Sequence, residues 1–414
     1  MSRRTPIIIS VAVLVFVVLF ALVGADLLLN KMATSPAKPD LFVGVDVGYG
    51  TEDDVYQVAN AVTGYANLII LGSLNVTTNT SALTRVCNYL YDKGFYFIIY
   101  IGFGTFDYLP PRGPDPNFFS ANQGRWGDKF LGVYLFDEVG GKQLDGVEEK
   151  PVPISQVAQV YINKHDYSYV SQAYQAIVAG STAVTIEWFD PPYPHYFLSD
   201  YGLYWFDYLG GYNTVFTEFT GNQSRQIAIA LCRGAAHTLG MNMGHTTEQD
   251  WGVIITWKYF QAPFLEDAGQ LYSDMVLAYK NDAKYIIVFN SPGNQTAPMS
   301  PGTIGTLTID HLNAMARFWN YTKANPRNGT YPADTAYVLP KDYGFGMRGE
   351  NDTIWGLWAA DNRSSTIWND TNNLLSTYGS RLDIVYETKT DSEAITLPYN
   401  HLIFWNGTNI QNQP

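Results

Sequence analysis

The sequence predicts an α/β protein: a (β/α)8 TIM barrel followed by a small α/β module, behind an N-terminal transmembrane helix. Three observations carry the barrel. From Leu41 onward, short apolar runs alternate with amphipathic helical patterns, the order that builds a parallel sheet covered by helices. Roughly 280 residues hold eight such units, the usual size of a closed barrel. An open doubly wound sheet would place a Gly-rich phosphate turn after its first strand, and "GVDVGYGTEDD" lacks that spacing.

The elements follow in order. After Arg3 and Arg4, "PIIISVAVLVFVVLFALVGADLLL" keeps free of charge until Asp26, long enough to span a bilayer as a helix. The preceding arginines predict an N-terminus inside and the remaining chain outside, a single-pass anchor in the cell membrane. A cleaved signal peptide and a secreted protein is the alternative, with "LVGA" before Asp26 as the cleavage region. Residues 1–30 are therefore anchor or signal segment, and 31–40 a linker.

The barrel is expected over 41–325. Its strands are "LFVGVDVG", "ANLIILGS", "FYFIIYIGFG", "KFLGVYLFDE", an ambiguous fifth, "YNTVFTEFT", "DWGVIITW" and "KYIIVFN". The fifth is either "STAVTIEWFD", ending in Asp190, or the shorter "YFLSD", ending in Asp200. Over 331–414, "TAYVLP", "RLDIVYE" and "HLIFWNG" read as three strands and "SSTIWNDTNNLLSTYG" as a helix, a small Rossmann-like unit.

Composition narrows the function. A net charge of −13 argues against nucleic acid, which needs clustered Lys and Arg. The 30 Tyr, 22 Phe and 10 Trp serve either core packing or stacking on the apolar faces of sugars. Ten N-x-S/T sequons, at Asn75, Asn79, Asn222, Asn294, Asn320, Asn328, Asn351, Asn362, Asn369 and Asn406, agree with export and N-glycosylation. Cys87 and Cys232 are either one disulfide or two buried thiols. His245 and Glu248 lack a third ligand, so no metal is expected, and no motif implies a cofactor. No G-x-S-x-G elbow, Walker A loop or paired C-x-x-C is present. Oligomeric state is not legible.

Barrel chemistry sits at the C-terminal ends of strands, and alternation decides which side chains face the lumen. In "FLGVYLFDE", alternation puts Leu131, Val133, Leu135 and Asp137 toward the helices, and Gly132, Tyr134, Phe136 and Glu138 toward the axis. In "LFVGVDVG" it points Asp46 inward, and Glu218 ends the sixth strand. Several carboxylates at one mouth exceed what packing requires. Two of them flanking a glycosidic bond suit its hydrolysis: Glu138 as acid/base and Glu218 as partner. Asp46 and Asp200 are expected to orient substrate. Trp257, Asn290 and Trp205 are candidates to line a sugar site, and Trp251 is better suited to packing.

Strands ending in "FDE", "FTEF" and "IITW" resemble glycoside-hydrolase barrels. "AYVLPKDYGFGMRGENDTIWGLW" and "LLSTYGSRLDIVYE" are similar to the amidotransferase-like module that follows the barrel in family 42 β-galactosidases. That resemblance implies an acid/base glutamate after strand four, matched by Glu138, and a nucleophilic glutamate after strand seven. There the chain has "ITWKY"; Glu266 and Asp267 lie beyond it, so Glu218 would have to substitute. The module contains no Cys, which excludes amide transfer. The pattern from "VYLFDEVGGKQLD" through "YGLYWFDYLGGYNTVF" to the tail also resembles membrane-anchored archaeal surface proteins, without implying an activity. The expectation is an extracellular, membrane-anchored glycoside hydrolase acting on polysaccharide or surface glycans. A catalytically silent glycan-binding or structural surface protein is the alternative.

Overall fold

Eight strands close into a parallel barrel in chain order. The computed structural model describes residues 38–102, 112–122, 124–146, 159–186, 188–189, 194–242, 249–256, 258, 265–291, 304–329, 331–388 and 398–411. The apolar N-terminal segment lies outside them. No helix among the described residues is long and apolar enough to cross a membrane. Leu41–Pro414 form one compact unit.

The first half of the barrel runs β1 (Phe42–Val47), α1 (Glu52–Val62), β2 (Leu68–Leu71), α2 (Leu74–Thr77), α3 (Thr80–Asp92), β3 (Tyr96–Tyr100), α4 (Asn117–Ala121) and β4 (Phe130–Asp137). There follow α5 (Val139–Asp145), α6 (Gln159–Asn163), α7 (Tyr167–Ile186), β5 (His195–Asp200), α8 (Tyr204–Leu209), β6 (Thr214–Phe219) and α9 (Arg225–Asn242). The barrel ends with β7 (Asp250–Ile255), α10 (Ala268–Lys280), β8 (Tyr285–Asn290) and α11 (Ile309–Ala324). The ambiguity over strand five is thereby resolved: "YFLSD" is the strand, and residues through Ile186 of its rival belong to α7. Side chains fix some of the helix starts. The Asn79 side chain accepts from the Ala82 amide before α3, and Asp267 accepts from Gly269 and Gln270 before α10.

Alternation sorts most barrel side chains into two cores. Val43, Val45 and Val47 face the helices, while Phe42 faces the lumen with Ile70, Ile98, Phe197, Phe216 and Ile287. Aromatic stacking closes the barrel floor, with Phe42 on Tyr285 at 4.9 Å and Phe197 on Phe216 at 5.5 Å. Much of the aromatic content is therefore packing.

Strand β4 departs from alternation twice. Its register slips against β3 between Phe97 and Ile98, and against β5 between Tyr134 and Phe136. Such bulges insert an unpaired residue and turn the side chains that follow. Leu131 joins the lumen core, contrary to simple alternation. Leu135 and Phe136 then both pack with the helix-layer core, which brings the next residue, Asp137, back inward.

The C-terminal module adds β9 (Thr335–Leu339), α12 (Asn362–Tyr378), β10 (Leu382–Tyr386), β11 (His401–Phe404) and β12 (Asn409–Gln411). Its sheet has the order β10-β9-β11-β12, so a fourth, antiparallel edge strand joins the three expected. Arg233 of α9 fastens the module to the barrel. It is buried and donates to Asp383 (2.7 Å), Asn281 (2.8 Å), and the Ser380 and Leu382 carbonyls (2.8 and 2.9 Å). A second seam joins α5 to the loop before α12. Gln143 donates to the Trp355 carbonyl, Thr353 to the Leu144 carbonyl, and Arg348 pairs with Asp145. Gly356, at φ +64°, lies so close that a Cβ would sit 1.8 Å from the Gln143 oxygen.

Cys87 and Cys232 are buried free thiols. Of the ten sequon asparagines, Asn294 lies outside the described residues. The side chains of the other nine are exposed.

Candidate active site

The barrel mouth holds a cleft of about 310 Å³ whose lining includes Asp46, Asp137, Glu138, Ser199 and Glu218. That is the small end of ligand-binding volumes. Tyr49, Tyr100, Tyr134 and Phe289 supply its aromatic wall, and Thr256 stands at the end of β7.

Glu218, at the end of β6, is 3% exposed. Ser199 donates to its Oε1 at 2.7 Å. Burial first, then repulsion from Glu138 and Asp137, pushes the Glu218 carboxyl well above its ordinary pKa. Glu138 is placed by backbone rather than by strand. It takes a left-handed conformation (φ 62°, ψ 34°) just before α5, and its amide donates to the Ser199 carbonyl at 2.9 Å. Its carboxylate lies 3.4 Å from Lys142, and its charge helps to raise the pKa of Glu218. Burial and Asp137 raise its own pKa, while Lys142 opposes that rise. Glu218 is the more deeply buried of the two, and burial drives it further toward its protonated form.

Asp137 and Asp46 complete the cluster. Tyr134 donates to Asp137 Oδ1 at 2.8 Å, and Ser199 Oγ lies 3.1 Å from the same oxygen. Alternation sends Asp137 to the helix layer, and the second bulge in β4 is what overturns that expectation. Asp46 is 4% exposed, and its Oδ1 has no hydrogen-bond partner among the described residues. Burial, then Asp137, raises its pKa well above the ordinary value. Gly72 makes room for it, since a Cβ there would lie 2.4 Å from Asp46 Oδ1.

Three other residues expected at a sugar site are occupied elsewhere. Asp200 is fully buried, and its carboxylate accepts from the amides of Gly140, Gly141 (2.7 Å), Tyr201 (2.7 Å) and Gly202 (3.2 Å). Phe197 and Ser199 take the lumen side of β5, so alternation turns Asp200 to the back, where it anchors the turn that carries Glu138. Asn290 likewise follows lumen-facing Phe289, and its Oδ1 accepts from the Thr306 amide at 2.9 Å. Trp205 is buried against Tyr386 of the C-terminal module, at 5.7 Å between rings. Trp251 packs in the helix-layer core. Trp257, Asp190, His245 and Glu248 lie outside the described residues. Glu266 is buried 3.5 Å from Arg225, and Asp267 caps α10. Among the described residues, no cluster of His, Cys, Asp or Glu is arranged to hold a metal.

Ser199, Tyr134 and Lys142 were not singled out from the sequence. Alternation along the true β5, counted from Phe197, would have found Ser199 and set Asp200 aside.

No protein-family model matches the chain. No curated protein sequence matches it. Solved structures similar to it include GH5_18 of Streptomyces cattleya in complex with GlcNAc, at 11% identity and TM-score 0.47, over 89% of this chain and 99% of that one. A polyextremophilic β-galactosidase of the Antarctic haloarchaeon Halorubrum lacusprofundi aligns at 9% and 0.48, over 88% and 69%. An endo-1,4-β-mannanase of Eisenia fetida aligns at 11% and 0.39, over 70% and 92%. At such identities and TM-scores, no residue role or activity passes from these proteins to this chain.

Proposed function

We propose that this chain is a glycoside hydrolase, and that Glu138 and Glu218, facing one cleft at the barrel mouth, perform the reaction. Their convergence on that cleft is the observation on which the reading rests. We assign them a retaining mechanism, in which one carboxylate is the nucleophile. The electrostatics reverse the roles expected from the sequence. Glu218, holding the proton, is the general acid; Glu138, beside Lys142, is the nucleophile. The glycosidic oxygen sits between the two carboxyl groups and receives the Glu218 proton as its bond to the anomeric carbon breaks. Glu138 forms an ester to that carbon. Glu218, now a carboxylate, deprotonates the water that releases the sugar.

Nine exposed sequon asparagines and the apolar N-terminal sequence support an extracellular, membrane-anchored setting, with polysaccharide or surface glycans as substrate. The amidotransferase-like relationship of the module rests on sequence resemblance alone.

One observation favours a second reading, a carbohydrate-binding barrel without hydrolysis. Thr256 stands at the end of β7, where the family 42 resemblance implies a nucleophilic glutamate. Hydrolysis of a broad glycan panel by the protein and by its Glu138→Gln and Glu218→Gln variants separates the two. Activity abolished in both variants supports catalysis. Activity unchanged by both substitutions, or absent throughout while glycans still bind, refutes it.

A further inference from the structure

Among the described residues, the lining of the cleft carries four carboxyl groups, from Asp46, Asp137, Glu138 and Glu218, and no Lys, Arg or His. The nearby cation, Lys142, is committed: it lies 3.4 Å from Glu138 and 4.0 Å from Asp137, and donates to the Asp137 carbonyl at 3.0 Å. Such a wall repels uronates and sulfated sugars and attracts positive charge. The strongest pointer is Asp46. It is 96% buried, lines the cleft, and leaves Oδ1 without a hydrogen-bond partner among the described residues. A buried carboxyl oxygen in that state is costly unless a ligand supplies a donor. The aromatic wall has the matching chemistry. Tyr100 lies against Tyr134 with centroids 5.0 Å apart, and Tyr49, 58% exposed at the rim, stands edge-on to Phe289 at 6.3 Å. Ring faces beside carboxylates make a favourable setting for an organic cation.

We propose that the cleft recognises a protonated primary amine, seated on Asp46 and Asp137 between the tyrosines. Taken with the glycosidase reading, on which only the sugar part rests, the substrate is a glycan of free amino sugars rather than N-acetylated or acidic ones. An ammonium has three donors to offer, enough for the Asp46 carboxyl group in the cleft wall and for Asp137. An acetamido group has one donor and no charge.

The test is calorimetric titration of the full-length protein with glucosamine, N-acetylglucosamine and glucose at about pH 6, where the amine is protonated. Glucosamine is expected to bind on the order of tenfold more tightly than either neutral sugar, as one charge-assisted contact allows. Asp46→Asn should erase that preference. Asp137→Asn, at the more exposed carboxylate, should weaken it and serves if the buried substitution fails to fold. Equal affinity for the three sugars, or a preference that survives both substitutions, overturns the proposal. Hydrolysis of neutral glycosides without any amine preference removes the amine subsite and leaves the glycosidase reading standing. Amine preference extending to a simple alkyl amine, with no glycoside hydrolysed, upholds the subsite and ends the glycosidase reading.

Discussion

Replacing Asp200 by Asn tests whether a buried carboxyl behind the site sets the pH dependence of stability. Asp200 is fully buried, and burial outweighs its four backbone hydrogen bonds, so its pKa is pushed up to about 7. A raised carboxyl pKa means that the folded protein holds the proton more tightly than the unfolded chain. The associated stability is complete below the unfolded value, near 4, and is lost as pH rises through about 7. Each pKa unit is worth about 1.4 kcal/mol. Between pH 5 and 8 this carboxyl therefore removes about 3 kcal/mol, shared with Asp207, whose proximity couples the two titrations. The Asn variant cannot ionise at this position. Urea unfolding of both proteins at pH 5 and pH 8 should show the wild type losing about 3 kcal/mol more than the variant across that interval. At pH 5 the variant should be the less stable, because its amide nitrogen faces the Gly140 amide in place of an acceptor. Parallel losses, within about half a kcal/mol, would show that Asp200 is not the titrating group.

Other outcomes follow from the same geometry. Glu218→Gln should lower kcat by about 10²–10⁴-fold. It should also remove the alkaline limb of the pH–rate profile, since a general acid stops working as pH rises through its pKa; a surviving limb would place the proton elsewhere. Arg233→Ala should cost about 3–5 kcal/mol in urea unfolding, because it leaves Asp383 buried with only the Tyr331 and Tyr399 hydroxyls. Gly356→Ala should cost more than about 1 kcal/mol and impair kcat as well. A Cβ there presses on Gln143 in the helix that begins after Glu138. A thermal melt and a rate measurement on one sample check both effects.

How much of this could be read in advance depended on what alternation can report. Unbroken strands were legible: β1 kept its parity, so Asp46 lies on the lumen side, and Glu218 ends β6 in the cleft above lumen-facing Phe216. The eight-strand order emerged because each strand is a dense apolar run with a helical pattern after it. Strand β4 was misread because a bulge leaves no mark in residue type; Leu135 and Phe136 look as regular as any apolar pair. Asp200 was mistaken for a site residue because its strand was too short to choose with certainty, and parity cannot be counted along an unchosen strand. Trp205 shows the limit of composition: an aromatic side chain announces burial, but not whether sugar or another domain will cover it.

The bulge in β4 has an evolutionary consequence. With two successive residues turned to the helices, the strand delivers Asp137 inward beside Glu138. Deleting Leu135 or Phe136 would restore strict pleating and leave Asp137 on the inward face, one residue beyond a single outward neighbour. The bulge thus absorbs an extra residue without moving the acid. A codon gained or lost between Tyr134 and Asp137 would leave the acids of this mouth in place, a tolerance invisible to substitution scanning.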